Sequence, residues 1–286
     1  MTFIPSATED SEKISLDKFD GTSFPKYNST QINDNIEKIC FLDLETTGLN
    51  KDQDKIIEIA LKLGAINKTS GDLLGVISNY QSFQDPEFLI DERITMINGI
   101  NNHMVKDQSI DWIRVKEIVN DSDIIVAHNA AFDRGFMDQA LDISKEKIWS
   151  CSIGDIDWLK RGFSSSKQEL LCIWHGFYYD SHRAMFDVNA LIALLTHDSY
   201  NENKPIIELI ENSQKPLHKL LALHSPFESK DQLRNNKYKW DPEKKCWWKY
   251  LKSEEIESEK QWLADNVYNG QFEGIVQIVL PEEKYN

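Results

Sequence analysis

The sequence has few cysteines and no long apolar run. Its four cysteines are scattered without a Cys-x-x-Cys spacing, which argues against a structural zinc site and favours a reducing compartment. No stretch approaches the roughly 18 apolar residues that a membrane span needs. The first residues, Met1 to Pro5, lack the basic start and the apolar stretch of a secretory signal. We therefore expect a cytoplasmic protein that does not contact a membrane.

Basic residues are also in the minority. The chain of 286 residues has 32 Lys and Arg against 47 Asp and Glu, a net charge of −15. A protein that binds long duplexes through counterion release should instead present a broad basic surface. The charge balance therefore argues against tight tracking on long nucleic-acid duplexes.

The most informative segment is Phe41–Leu49, which reads FLDLETTGL. Side chains alternate along a strand, so Asp43 and Glu45 should project from the same face. Two adjacent carboxylates at a strand end repel each other unless cations hold both, and Mg²⁺ or Mn²⁺ prefers such oxygen ligands. A solvated strand end is the alternative, but the apolar neighbours, including Leu44, argue against it. The segment predicts half of a metal site.

Two downstream segments can complete this site. Ile124–Asp133 is a β-branched strand that runs into a helix start, with Asp133 in the first helical turn. His182 precedes an apolar helix, and its five-residue spacing to Asp187 places it on the preceding loop rather than on the same helical face. Alone, Asp133 could be a helix cap and His182 a surface or core histidine. The three segments in this order are a much stronger signal than any one of them.

Together these segments resemble the DnaQ-like 3′–5′ exonucleases, in the DEDD subtype whose third motif carries a histidine (DEDDh). The resemblance covers roughly residues 38–197, and within the group the chain looks like bacterial exonuclease X and the proofreading subunit of the replicative polymerase. It implies an α/β fold with a ribonuclease-H-like mixed sheet and flanking helices. It also implies hydrolysis of the terminal phosphodiester bond at single-stranded or frayed DNA 3′ ends, with release of nucleoside 5′-monophosphates.

The resemblance further implies the residues of the site. Asp43, Glu45, Asp133 and Asp187 would hold two divalent ions, Mg²⁺ or Mn²⁺, and His182 would be the general base for the attacking water. Seven more residues match positions that contact the terminal nucleotide, and these are Thr46, Thr47, Leu49, Asn98, His128, Asn129 and Phe132. The family usually carries histidine at the position of Asn98.

Two other functions stay open on the sequence. The same set of residues occurs in relatives that trim RNA, so a 3′–5′ exoribonuclease is one alternative. A non-catalytic nucleic-acid-binding module or polymerase accessory is the other. The expected partners are DNA 3′ ends, with RNA possible, and a polymerase or repair protein.

Four regions are predicted along the chain. They are a flexible N-terminal tail at 1–35, the exonuclease domain at 36–200, a linker at 201–225 and a small aromatic and basic α+β unit at 226–286. In the second region, consecutive strands predict an antiparallel meander, followed by alternating strands and helices that include a helix at 153–160.

The last region contains a predicted hairpin between Tyr238 and Tyr250, in which aromatic residues alternate with lysines. Between Lys230 and Lys252 there are eight Lys and Arg and three Asp and Glu, a local net charge of +5 in an acidic chain. The rings can form the core of a small domain with the lysines pointing outward, or they can stack the bases of a nucleic acid.

Overall fold

The computed structural model describes residues 3–4, 8–10, 13–21, 23–28 and 35–286. These residues form two compact units. The first extends to Ser213 and includes Tyr285–Asn286, and the second comprises Gln214–Lys284. Each unit has its own sheet and its own apolar core. Among the described residues, no helix is both long enough and apolar enough to cross a membrane.

The described N-terminal residues pack onto the first unit. They include the short strands β1 (Thr8–Asp10), β2 (Lys13–Ile14) and β3 (Asp17–Lys18). β3 pairs in parallel with Phe177–Tyr178, and Ile4 is buried in the core beside the partly buried Phe19 and Phe24. The expectation of a flexible tail at 1–35 therefore does not hold for these residues. Apolar side chains that are widely spaced in the sequence anchor this segment, and they form no periodic hydrophobic pattern from which its structure could be predicted. The other residues of that predicted tail lie outside the described residues, namely 1–2, 5–7, 11–12, 22 and 29–34.

The first unit is built on a mixed sheet that has five strands within the described residues. In chain order they are β4 (Ile36–Thr46), β5 (Ile56–Asn67), β6 (Leu73–Phe83), β7 (Ile124–Ala127) and β8 (Ile148–Cys151). The spatial order is β6-β5-β4-β7-β8, in which β4 pairs antiparallel with β5 and parallel with β7. The predicted meander is confirmed. β5 is buried along almost its whole length, because both faces of the sheet are covered.

Helices pack on both faces of this sheet. They are α1 (Glu92–Asn98), α2 (Asn102–Val105), α3 (Trp112–Asp121), α4 (Ala130–Ala140), α5 (Gln168–Trp174), α6 (Ala184–Leu195) and α7 (Pro205–Ser213), with strand β9 (Phe177–Tyr178) between α5 and α6. Ile39 and Phe41 of β4 share a core with α6, whereas Cys40 and Leu42 share another with α3 and α4. Alternate side chains of β4 thus belong to two different cores. Asp43 lies on the same face of the strand as Ile39 and Phe41, which is the face toward α6.

The helix predicted at 153–160 is wrong, because this segment forms turns. Asp155 is buried, and its carboxylate accepts hydrogen bonds from the Ser150 hydroxyl at 2.6 Å and from the backbone N–H of Cys151 at 3.0 Å. The Trp158 indole donates to the carbonyl of Ser152 at 2.7 Å. These side chains hydrogen-bond to nearby backbone groups and so compete with helix formation.

The second unit starts within the segment where we expected a linker. Most of 201–225 is occupied by α7 and by β10 (Leu217–Ala222), whose apolar residues are buried. The unit continues with α8 (Lys230–Asn235), β11 (Lys239–Asp241), β12 (Cys246–Leu251), α9 (Ile256–Asn266) and β13 (Ile275–Val279). The strands form an antiparallel sheet in the order β11-β12-β10-β13. β11 and β12 are the predicted hairpin, and the unit has the predicted α+β character.

Candidate active site

Two carboxylates project from the end of β4. Asp43 and Glu45 lie on one face of the strand, as its alternation predicted, and both side chains are half-buried. The register of β4 against β5 shifts between Glu45 and Thr46, which marks a bulge. Bulges of this kind re-aim side chains and end strand pairing, and they are frequent beside active sites.

Helices α4 and α6 bring further carboxylates to the same place. One oxygen from each of Asp43, Glu45 and Asp187 lies within 4.8 Å of the others. Asp133, in the first turn of α4, is buried and accepts a hydrogen bond from the backbone N–H of Leu44. Its Oδ1 has no hydrogen-bond partner among the described residues. A buried oxygen left in this state is costly, so the donor set fits hard divalent cations.

The four carboxylates are difficult to ionise together. Burial is the largest cause, and the charges of Asp187, Asp133 and Glu45 add to it in holding the pKa of Asp43 well above its ordinary range. Burial also raises the pKa of Glu45 to about 7, although Asn98 donates a hydrogen bond that favours the charged form. The pKa values of Asp133 and Asp187 are raised in the same direction, again chiefly by burial. Without cations the cluster therefore retains protons close to neutral pH.

Asp187 is held in place by hydrogen bonds at the start of α6. The Tyr179 hydroxyl donates to its Oδ1 at 2.8 Å, and the backbone N–H of Arg183 donates to its Oδ2 at 3.1 Å. Gln168 in turn donates to the Tyr179 oxygen at 3.0 Å and to the Asp187 carbonyl at 2.9 Å. Tyr179 and the Arg183 backbone thus fix the Asp187 carboxylate at the start of the helix, and Gln168 holds Tyr179 in place.

His182 lies on the loop before α6, as its spacing predicted. Its backbone is left-handed, with φ of 64°, and its side chain is 54% exposed. The Nε2 atom lies 3.8 Å from Oε1 of Glu169, and the nearby imidazole offsets part of the burial that raises the pKa of Asp187. The ring is thus within electrostatic reach of the acidic cluster while facing Glu169.

A fifth carboxylate, Glu58, was not predicted from the sequence. It lies opposite Glu45 in the pairing of β4 with β5 and is fully buried. Its carboxylate accepts hydrogen bonds from Arg183 Nη2 at 3.0 Å, from Arg183 Nε at 3.2 Å and from the backbone N–H of Ala184 at 3.1 Å. Glu58 therefore ties β5 to the loop that carries His182. The position of Glu58 beside Glu45 becomes visible only when β5 is aligned with β4, and the sequence alone does not give this alignment.

Asn98 contacts the acidic cluster directly. Its Nδ2 donates to Oε2 of Glu45 at 3.1 Å, and its Oδ1 accepts from the backbone N–H of Ile100 at 3.0 Å. The side chain is 5% exposed. The structure thus gives Asn98 a partner in the cluster, and the expected contact with the sugar of the terminal nucleotide stays a prediction.

The predicted nucleotide contacts of the first motif lie in the turn after β4. The Thr46 hydroxyl donates to the carbonyl of Gly48, and the Thr47 hydroxyl donates to Oδ1 of Asp54 at 3.1 Å. Both threonines stabilise the turn. Leu49 is 87% exposed, so a large apolar side chain is left in solvent close to the carboxylates. Binding of a nucleotide by these three residues is not tested by these contacts.

The remaining predicted contacts lie where β7 meets α4. His128 has its Nδ1 2.6 Å from the Ser152 hydroxyl, and burial lowers its pKa to about 4, so it is neutral at pH 7. Asn129 is exposed at the start of α4 with a left-handed φ of 72°. Phe132 is half-buried, with its ring centroid 5.1 Å from that of Phe136. Their roles toward substrate stay predictions.

Metal addition is expected to stabilise the first unit more at pH 8 than at pH 5. The folded pKa of Glu45 is about 7 against an ordinary 4.5, so the folded state binds the extra proton between these values. Stability in chelator should therefore fall as pH rises through this window, and divalent cations should restore it above the window. Thermal unfolding followed by circular dichroism, with chelator or excess Mg²⁺, should show a melting temperature raised by about 5 °C at pH 8. Equal shifts at both pH values would contradict the assignment of a cation site here.

Comparison with known proteins identifies the family. Residues 40–195 match the RNase T family model, which is described as an exonuclease. The PolC-type DNA polymerase III of Bacillus subtilis is 31% identical over 214 residues, which is 66% of this chain and 14% of the polymerase. The DNA polymerase III subunit epsilon of Buchnera aphidicola is 28% identical over 237 residues, which is 72% of this chain and 94% of the subunit. The chain thus spans only a small part of the PolC-type relatives.

Solved structures show the same fold. A structure of Escherichia coli exonuclease I with a dT13 oligonucleotide has a TM-score of 0.51 and 14% identity, covering 86% of this chain and 64% of that one. Another exonuclease I structure has a TM-score of 0.50 and 16% identity, covering 86% and 63%. The mixed sheet with flanking helices is therefore ribonuclease-H-like, as expected. The chain belongs to the DnaQ-like 3′–5′ exonuclease family.

Proposed function

We propose that the protein is a metal-dependent 3′–5′ exonuclease that removes nucleotides from DNA ends and releases nucleoside 5′-monophosphates. The observation that carries the proposal is the convergence of Asp43, Glu45, Asp133 and Asp187, drawn from three distant segments, beside a loop that carries His182. The names of the relatives, which are DNA polymerase III proteins, support DNA as the substrate.

The four carboxylates are the proposed ligands of two divalent cations, Mg²⁺ or Mn²⁺. When bound, such a pair polarises the scissile phosphate, lowers the pKa of the attacking water and stabilises the departing 3′ oxygen. Four carboxylate charges balance two divalent cations. Arg183 already neutralises Glu58, so that fifth carboxylate does not disturb this balance.

His182 is the proposed general base. Its Nε2 would take the proton of the attacking water, which requires the imidazole to turn from Glu169 toward the phosphate. Its half-exposed side chain leaves this rotation open. Asp187, five residues later, is fixed by Tyr179 and by the Arg183 backbone, so the cluster keeps its place while the ring moves.

The surface around the carboxylates suits a chain end. Leu49 and Asn129 are exposed, and Phe132 offers a half-buried ring. An aromatic or large apolar side chain at such a position can stack on or separate the last bases. With a net charge of −15, we infer that binding at this site involves few phosphates and is directed to the strand terminus.

The direct test compares DNA and RNA strands of one sequence, each labelled at the 5′ end, with Mg²⁺ or Mn²⁺ and then with chelator. We expect a ladder of products shortened from the 3′ end of DNA, and no products in chelator. Cleavage of RNA alone would instead establish an exoribonuclease. Intact strands with every metal, together with co-elution with a polymerase, would point to an accessory module and overturn the proposed activity.

A further inference from the structure

The sheet of the second unit has one face that packs on helices. Leu220 and Ala222 of β10 and Leu251 of β12 belong to the core that α9 closes, and Trp247 packs against it. Lys249 points to the same side, where its Nζ lies 2.8 Å from a carboxylate oxygen of Glu259. On this face the aromatic residues of the hairpin therefore pack against the core, and its lysine neutralises the carboxylate of Glu259.

The opposite face carries a second set of rings and lysines. Trp248 and Tyr250 lie on this side of β12, with ring centroids 5.0 Å apart. The register pairs Lys239 of β11 with Trp248 and Lys219 of β10 with Tyr250, so all four side chains share the face. The Nζ of Lys219 lies 4.3 Å from the Trp248 ring centroid and 5.8 Å from that of Tyr250, and the Nζ of Lys239 lies 5.4 Å from that of Trp248. We call these four residues the Trp248 face.

The lysines of the Trp248 face differ from Lys249 in their partners. Among the described residues, neither Lys219 nor Lys239 forms an ion pair with a carboxylate, in contrast to Lys249 on the other face. Asp241, the acidic residue of β11, accepts hydrogen bonds from the backbone N–H groups of Glu243 and Lys244 and so stabilises the hairpin turn. The face therefore presents positive charge over aromatic rings in a chain that is acidic as a whole.

We propose that the Trp248 face binds a single-stranded polynucleotide, with bases stacked on Trp248 and Tyr250 and phosphates bound by Lys219 and Lys239. The identity of this strand as the substrate rests on the proposed nuclease function, whereas the binding itself does not. Trp248 and Tyr250 are half-buried, and stacking of a base on such a ring contributes more than the contact of a lysine with it. On binding, the lysines can therefore move from the rings to the phosphates while bases stack on the rings, and this exchange is favourable.

Such a face supplies the positive charge and the stacking rings that the acidic cluster lacks. Sequence-tolerant binding of single strands combines positive charge along the backbone with aromatic stacking, and lysines and rings lie on adjacent strands of one sheet here. An exonuclease whose cleavage site contacts few phosphates gains substrate affinity from a second site on the same chain, because the tethered strand is present at high effective concentration.

The experiment measures binding of fluorescent single-stranded DNA to the full-length protein in chelator, by fluorescence anisotropy. The double variant Lys219→Glu and Lys239→Glu is compared with Lys244→Glu and Lys245→Glu, which makes the same charge change in the exposed hairpin turn. We expect the first variant to weaken binding about tenfold or more and to reduce the salt dependence by roughly two phosphate contacts, with the turn variant within about twofold of the wild type. Trp248→Ala should weaken binding at least about fivefold, since stacking is lost.

Circular dichroism and melting curves should show that each variant is folded. Equal affinities for the two lysine variants, with both folded, would overturn the proposal and leave the Trp248 face to a protein partner. Binding in chelator requires no turnover, so a protein that binds strands but cleaves none would refute only the proposed nuclease function. If the protein is an active nuclease and the substitutions at Lys219 and Lys239 leave its affinity for DNA unchanged, only this proposal would be refuted. A parallel series with RNA determines whether the face distinguishes the sugar.

Discussion

An Asp43→Asn protein should degrade labelled DNA about 10³-fold more slowly than the wild type, because it loses a proposed ligand of the cations that would stabilise several kcal/mol of transition-state charge. The same change should raise the melting temperature in chelator. Asp43 is surrounded by Asp133, Asp187 and Glu45, and its pKa is held well above the ordinary range by burial and by these charges. A neutral amide of the same shape removes that repulsion. Loss of activity with a gain of metal-free stability is expected where function requires a strained cluster.

Asp157→Asn is the matched control for Asp43→Asn. Asp157 is exposed and accepts a hydrogen bond from the backbone N–H of Lys160 in a turn, and it is not among the carboxylates that raise the pKa of Asp43. We expect wild-type turnover and little change in melting temperature. If Asp43→Asn retained turnover, or if it melted at a lower temperature than the wild type in chelator, the assignment of Asp43 to a repulsive cation site would be wrong.

His182→Asn should lower turnover by about 10²–10⁴-fold while the rise in melting temperature on adding Mg²⁺ is retained. Asparagine is the suitable replacement because His182 has φ of 64°, and asparagine tolerates this left-handed conformation far better than alanine. The amide cannot take a proton from water. Turnover under saturating DNA and metal-induced stabilisation measured in parallel separate proton transfer from cation binding.

His224→Asn provides the control for this second substitution. His224 is also exposed and left-handed, with φ of 52°, and it lies in the second unit. The backbone requirement is therefore the same, and only the position relative to the acidic cluster differs. Normal turnover in His182→Asn would exclude this histidine as the base. A lost response to Mg²⁺ would instead show that it helps to hold the cations.

Local pattern was sufficient for the centre of the fold and for the main members of the cluster. Alternation in β4 placed Asp43 and Glu45 on one face, and the helix start after β7 placed Asp133 in a first turn. The spacing of His182 to Asp187 required a loop before α6, which the structure shows. Each of these inferences depends on a period of the backbone, and backbone periods are fixed by residues that are adjacent in sequence.

Features that depend on register or on distant packing could not be predicted. Glu58 becomes significant only when β5 is aligned against β4, and Tyr179 only when its hydroxyl is placed on Asp187. The helix wrongly predicted at 153–160 is prevented by the buried hydrogen bonds of Asp155. Phe19 and Ile4 anchor a polar N-terminal segment through contacts made far away in sequence. For Glu58 and the N-terminal segment the deciding partner is distant in sequence, whereas the partners of Asp155 are near in sequence but act through side-chain geometry that a periodic pattern does not describe.

The ion pair between Glu58 and Arg183 has a consequence for the speed of the catalytic cycle. The Arg183 guanidinium and the backbone N–H of Ala184, one and two residues beyond His182, both donate to the Glu58 carboxylate on β5. The backbone next to His182 is therefore held in place, and the imidazole can reorient only by rotation about its own side-chain bonds. Rotamer changes of exposed side chains take picoseconds to nanoseconds, whereas loop rearrangements are slower. If His182 is the proton acceptor, as proposed, it should re-equilibrate well within each turnover, so its reorientation should not limit the rate.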